Sequence, residues 1–305
     1  VQIESVKGPI DTSDLGFTLS HEHVVVSSAG IPQIYPEFIQ REKSIKEGIR
    51  TLSAAKAEGL DSIIDVTTLD LGRDIDMLKQ VSEGSGVNIV CATGTWRDIP
   101  RAFWSATSDS VAELYTREIT VGIEGTDIKA GIIKVANVGG VTREGEIILR
   151  AAARAQKQTG VPISTHTWAP DVGEQQVRIF EDEKIDLSRV YIGHSNDTMD
   201  IHYLEGLMDK GVWIGLDRYG TMGTPDWNQR TETAMKLISD GYGKKIMLGH
   251  DSVTISIDSK DSRNKYNPDG YLFITRHVLP KLKKLGVTSQ QIDDLMINNP
   301  KRFFD

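Results

Sequence analysis

The sequence predicts an α/β protein of one domain spanning 1–305, folded as a closed (β/α)8 TIM barrel, and three observations carry that prediction. Eight short apolar runs recur along the chain. Helix-period segments separate them, and histidines and a carboxylate fall at the C-terminal ends of the runs. With 305 residues, 39% of them hydrophobic and 26% charged, the chain can bury one large core, and no Pro/Gly/Ser-rich linker or low-complexity stretch divides it.

The first run, Gly16 to His23, precedes a helix-period segment at Ser44 to Glu58; Ser62 to Thr67 precedes Arg73 to Glu83. Val87 to Thr95 leads to Ser110 to Gly122, and Ala130 to Asn137 to Arg143 to Thr159. The next pairs are Val161 to Thr167 with Gly173 to Asp182, and Val190 to Asn196 with Thr198 to Lys210. Val212 to Tyr219 precedes Asn228 to Asp240, and Lys245 to Asp251 precedes helices at Gly270 to Leu285 and Ser289 to Asn298. Most runs are continuously apolar, as in Gly-Ile-Ile-Lys-Val-Ala, which suits parallel strands covered on both faces. A doubly wound open sheet is the rival architecture. It would spread the ends of runs one, four, five, six and eight along an edge, whereas a closed barrel brings them to one mouth.

At that mouth the sequence places His21, His23, Lys134, His166, His194 and Asp251. Side chains alternate along a strand, so His21 and His23 point the same way and can share an ion, while Glu22 points out of the barrel. Of the seven histidines, four stand at such strand ends, His250 precedes Asp251, and His202 and His277 fall in helical segments as ordinary residues. A lone strand-end histidine is more often a satisfied polar group than a ligand; the joint pattern reverses that weighting. Lys134 lies in an apolar run where an ammonium is costly. Burial that lowers its pKa leaves a neutral amine able to react with carbon dioxide, and the resulting carbamate supplies two oxygens and one negative charge. Two divalent ions beside Asp251, that carbamate and a hydroxide leave a net charge of about +1. The bland alternatives are a lysine directed outward between helices and an Asp251 that caps a helix.

Composition narrows the partners. The net charge of −8 argues against nucleic acid and anionic membrane surfaces, and the longest basic cluster, Lys281 to Lys284, reads as a solvated helix face. A small neutral substrate fits best. Cys91 is the only cysteine, so no disulfide forms within the chain. No apolar stretch approaches the length of a membrane span. The chain begins at Val1 without a methionine, which is compatible with a removed leader and leaves cytoplasmic and exported locations both open.

The motifs Gly-Phe-Thr-Leu-Ser-His-Glu-His, Ala-Gly-Ile-Ile-Lys-Val-Ala, Ile-Ser-Thr-His-Thr, Tyr-Ile-Gly-His-Ser-Asn-Asp-Thr, Ile-Gly-Leu-Asp-Arg-Tyr-Gly and Gly-His-Asp-Ser occur in that order. Together they resemble the phosphotriesterase family of the amidohydrolase superfamily, from Gly8 to about Phe304. The resemblance implies two divalent metal ions, zinc first, with cobalt, manganese or iron also permitted by the ligand types. It implies that His21, His23 and Asp251 bind the buried ion, that His166 and His194 bind the more exposed one, and that carboxylated Lys134 and a hydroxide bridge them. Ions roughly 3.5–4 Å apart then acidify the shared water and polarise the substrate oxygen. It also implies a homodimer.

The family's proton relay runs from the metal-binding aspartate through a histidine to a second aspartate. Asp197 fits the second aspartate, but Arg218 stands where the histidine is expected. Arg218-Tyr219 resembles the lactonase branch, whereas Trp96 resembles the phosphotriesterase branch, and the segment from Gly220 to Gln229 is shorter than in phosphotriesterases. Trp96, Phe103, Trp104, Trp168, Tyr219 and Trp227 follow strands, and several can form an apolar wall; Trp96, Tyr219 and Trp168 are the expected substrate-binding residues. These features favour a lactone or related carboxyl ester as substrate, with phosphotriester hydrolysis as a side activity or as the alternative main one. A metal-binding barrel that only binds a ligand is the non-enzymatic alternative.

Overall fold

A computed structural model describes residues 1–168, 171–221, 223, 225–256 and 267–305. The chain opens with an antiparallel hairpin, β1 (Gln2–Ser5) and β2 (Gly8–Asp11). The barrel strands follow: β3 (Thr18–Val26), β4 (Ser62–Asp65), β5 (Asn88–Thr95), β6 (Ile132–Val138), β7 (Ile163–Trp168), β8 (Val190–Ile192), β9 (Trp213–Leu216), β10 (Ile246–Leu248) and β11 (Ser252–Ser256). Each pairs in parallel with its neighbours in chain order, β10 lies against β9, and β11 lies against β3. Only Gly249, His250 and Asp251 separate β10 from β11, so the two are successive stretches of an eighth strand whose halves pair on opposite sides. The sheet therefore closes as a (β/α)8 barrel.

Helices Arg41–Ala57, Ile75–Ser85, Ser108–Thr120, Arg143–Thr159, Val172–Asp182, Ile201–Asp209 and Trp227–Ser239 connect the strands. Strand residues alternate between two apolar cores, which is why the runs read as continuously hydrophobic. Ile63, Ile89, Ile133 and Ile214 pack outward among the helices. Ile64, Val90, Ile132, Tyr191, Trp213 and Met247 fill the barrel, together with Ile3, Leu15, Phe303 and Phe304 from the chain ends. The N-terminal hairpin, absent from the sequence prediction, thus contributes Ile3 to the inner core, and Thr12 Oγ1 meets Asp305 Oδ1 at 2.5 Å to tie the two ends together.

Three elements depart from their predicted form for identifiable reasons. The helix expected over Gly270 to Leu285 is a 3-10 turn (Gly270–Leu272), a π turn (Ile274–Val278) and an α-helix (Leu279–Lys284). The helix from Ser289 likewise passes through a π turn at Asp294–Asn298 before Asn299–Phe304. Pro280 and Pro300 are the second residues after these π turns; a proline offers no N–H and crowds the carbonyl four residues back, so the preceding turn widens. The run expected to extend to Asn196 stops at Ile192, because His194 takes left-handed backbone and a 3-10 turn follows at Ser195–Asp197.

Candidate metal centre

The pairing of β3 with β4 shifts register between Leu19 and Glu22, and such a bulge re-aims side chains. Here it lets Ser20 and His21 both face the barrel axis: Ser20 Oγ lies 2.8 Å from Tyr191 Oη, and His21 Nδ1 lies 2.8 Å from Asp217 Oδ2. Glu22 points the other way, as expected, yet is completely buried against His250. His23 Nδ1 lies 2.8 Å from Thr67 Oγ1. With both Nδ1 atoms engaged, both Nε2 atoms are free to face Asp251, whose Oδ1 is 3.5 Å from His21 Nε2 and 3.3 Å from His23 Nε2. The ligand atoms of His21, His23 and Asp251 all lie within 4.8 Å of one another, a spacing that could hold a metal ion.

Lys134 faces inward from β6 and is 1% exposed. Its Nζ donates to the Thr165 carbonyl at 3.2 Å and lies 3.3 Å from His21 Nε2. Burial pushes the amine down from 10.5 to about 8, against the pull of Asp217 and Asp251. His166 and His194 meet edge to face, with His194 Nε2 2.7 Å from His166 Nδ1. Burial, reinforced by His194 and Lys134, holds His166 well below the usual imidazole range, and burial likewise lowers His21 to about 3. Burial alone would raise Asp251 and Asp217, but the adjoining imidazoles outweigh it and hold both well below the usual carboxylate range. Neutral imidazoles beside ionised carboxylates are the protonation states that ligands require.

The nitrogens around His166 also test whether the site fits a cation. His194 Nδ1 lies 2.9 Å from Asp217 Oδ1 and donates to it, so His194 Nε2 carries a lone pair. Trp96 Nε1 donates to His166 Nδ1 at 3.2 Å, which requires a lone pair there too. Those lone pairs would face each other at 2.7 Å. Moving the proton to His166 Nδ1 instead opposes two N–H groups, so no tautomer satisfies all three residues, and His166 Nε2 is buried without a partner. A cation accepting both lone pairs removes the conflict. His21, His194 and Asp217 also lie within 4.8 Å of one another, but Asp217 is a partner of ligands: its oxygens already receive His21 Nδ1, Tyr191 Oη, His194 N and His194 Nδ1. His194 and Asp251 hold left-handed backbone, with φ of 59° and 54°. Such strain in non-glycine residues clusters at functional sites.

Arg218 joins the two remaining acids. Its Nη1 donates to Asp197 Oδ2 at 3.1 Å, and its Nε, buried without a hydrogen-bond partner, is 3.9 Å from Asp251 Oδ2. Arg230 holds the other Asp197 oxygen at 2.9 Å. A cavity of about 810 Å³ opens over the cluster, lined by His21, His23, Lys134, His166, Arg218 and Asp251 and walled by Trp96, Leu71, Thr254 and Tyr271. Trp168 is half exposed, its ring 6.5 Å from His166. Tyr219, expected on the wall, is completely buried and packs in the outer core instead, three residues past the end of β9 where strand alternation no longer aims it at the barrel axis. Phe103 is buried in the same core, Trp104 is exposed, and Trp227 packs on Phe273. Of the segment from Gly220 to Gln229, residues 222 and 224 lie outside the described residues.

Sequence reasoning missed Asp217, Thr67, Tyr191 and the Glu22–His250 pair. Asp217 had a signal: it is an acid in the same inward register as Trp213 and Gly215, between two apolar-run residues and Arg218.

The barrel and its cluster define a metal-site hydrolase architecture, and comparison with known proteins agrees. Residues 1–304 match the phosphotriesterase family, and the chain belongs to it as one of its hydrolases. It is 37% identical over 307 residues to an aryldialkylphosphatase of Saccharolobus solfataricus, covering 98% of each chain. It is 39% identical to a phosphotriesterase homology protein of Mycobacterium tuberculosis, covering 100% of this chain and 98% of that one. An N-acetyltaurine hydrolase of Dictyostelium discoideum is 29% identical, covering 99% and 97%. Among the described residues no helix is long and apolar enough to cross a membrane.

Proposed function

We propose that the protein hydrolyses lactones and related carboxyl esters at a binuclear metal centre, with phosphotriester hydrolysis as a side activity. His21, His23 and Asp251 would hold one cation, and His166 and His194 the other, with Lys134 carboxylated between them. When bound, two divalent cations, zinc first among the candidates, polarise the substrate oxygen and acidify water. Lys134 suits carboxylation because its buried amine is pushed to about 8: the neutral nitrogen bonds to carbon dioxide and releases one proton.

Asp251 would take the proton from the attacking water. Onward transfer along the family's chain would need a guanidinium, Arg218, in place of the imidazole that takes up and gives up a proton, and a guanidinium does not serve as such a relay. Arg218 therefore serves as a fixed positive charge. It orients Asp251 between itself and the histidines, anchored by Asp197, and its unpartnered Nε–H is a donor for charge developing on the substrate.

The observation that carries the lactone reading is this Asp197–Arg218–Asp251 arrangement, with Arg218 Nη1 3.1 Å from Asp197 Oδ2 and Nε 3.9 Å from Asp251 Oδ2. An alkoxide leaving group needs such support, whereas a phenolate expelled from an activated phosphotriester needs little. The alternative, phosphotriesterase as the main activity, is favoured by likeness to the Saccharolobus solfataricus protein named aryldialkylphosphatase. Comparing kcat/KM for an aliphatic lactone, an aromatic lactone and a dialkyl aryl phosphate on zinc-loaded enzyme decides between them. A higher value for the phosphate overturns the lactone preference. Sedimentation of the purified chain tests the expected homodimer.

A further inference from the structure

Asp217 is hydrogen-bonded to the Nδ1 atom of one histidine in each group of the site, on the side away from Asp251. Oδ2 lies 2.8 Å from His21 Nδ1, and Oδ1 lies 2.9 Å from His194 Nδ1. His21 groups with His23 and Asp251, and His194 groups with His166. The His21 and His194 rings lie nearly parallel, centroids 4.8 Å apart and planes 28° apart, held by one anion. The remaining capacity of that anion is filled by Tyr191 Oη at 2.8 Å and the His194 backbone N–H at 2.7 Å. Glycines make the room: a Cβ on Gly215 would fall 2.6 Å from Asp217 Oδ2 and 2.2 Å from Tyr191 Oη.

A carboxylate receiving a histidine N–H fixes the tautomer, aims the opposite nitrogen and raises its basicity. One carboxylate doing this for a ring in each group cannot move for one without disturbing the other. We propose that Asp217 is a positioning residue that couples the two metal positions, so that ligation at either pre-orients the other. The inference rests on the binuclear reading given above.

Calorimetric titration of the metal-free full chain with zinc, and of the same chain with cobalt(II) followed by visible absorption, tests it. The parent is expected to take up two equivalents. Asp217→Asn offers one acceptor oxygen to two imidazole N–H groups, so affinity for both equivalents falls by about 10- to 100-fold and both cobalt bands shift. Loss at only one equivalent, or at neither, overturns the coupling while leaving the binuclear reading standing. Uptake of fewer than two equivalents by the parent overturns that reading and the coupling with it. If circular dichroism finds Asp217→Asn unfolded, Gly215→Ala displaces the same carboxylate without altering charge. It is judged identically: both equivalents weakened supports the coupling, one or neither overturns it.

Discussion

Glu22 Oε1 stands 2.7 Å from His250 Nδ1, and the same carboxylate also receives the backbone N–H groups of His250 at 2.9 Å and Ser252 at 3.0 Å. Those amides flank Asp251 and brace its left-handed backbone from both sides. His250 Nε2 in turn accepts the Ile274 N–H at 3.0 Å, so the imidazole links Asp251 to the C-terminal helices. Glu22→Gln replaces one acceptor with an N–H donor facing these donors. Urea unfolding should report a loss of about 2–4 kcal/mol. In the zinc-loaded enzyme kcat should fall more than KM changes; unaltered stability would contradict the clamp.

Arg218 and Asp197 give a leaving-group test. Arg218→Met removes the fixed charge, and kcat/KM should fall by about a hundredfold for an aliphatic lactone, in the range of losing one oxyanion donor. An aryl ester, whose leaving group needs less support, should lose about tenfold or less. Equal losses for both substrates would place Arg218 in uniform binding instead.

Lys134 gives the pH dependence. Its folded pKa, about 8, lies below the unfolded value of 10.5, so between these pH values the unfolded chain binds more protons. Stability of the metal-free protein therefore rises with pH across that window, by up to about 3 kcal/mol relative to Lys134→Met. Below pH 8 the neutral fraction, and with it the rate of carboxylation at a fixed concentration of dissolved carbon dioxide, drops about tenfold per pH unit. A flat difference curve against Lys134→Met would refute the assignment.

Chelation should abolish hydrolysis, and zinc with bicarbonate should restore it. The apo protein should also melt lower, since ligand at ~1,000 Kd contributes about 4 kcal/mol. Restoration without any bicarbonate, in buffer freed of carbon dioxide, would argue against a carboxylated Lys134.

Trp96 lines the cavity and donates to His166 Nδ1 at 3.2 Å. Trp96→Phe keeps an apolar face and removes the donor. KM should change by about threefold or more while kcat changes less, the pattern of altered substrate binding. An unchanged KM with reduced kcat would move Trp96 from the substrate wall to support of His166.

Barrel architecture was legible because its period is imposed by burial on both faces: Ile63 and Ile64 serve opposite cores, so no polar residue interrupts the run. Inward polar residues were legible for the same reason, since Lys134 breaks such a run. Local apolarity could not reveal that Tyr219 turns away, because a buried aromatic reads alike in a core and on a cavity wall. Asp217 was passed over because its partners, His21 and His194, are distant in sequence and meet it only after closure. The N-terminal hairpin went unread because four-residue strands carry almost no periodic signal.

The split eighth strand has a consequence for biosynthesis. Asp251 N–H donates to the His21 carbonyl at 3.0 Å across the seam where the first and last strands join. A growing polypeptide released short of this junction carries the imidazoles and Asp217 but lacks Asp251, and the ring of strands stays open. Closure of the ring, and with it any cation site that Asp251 completes, therefore waits until β11 has been synthesised.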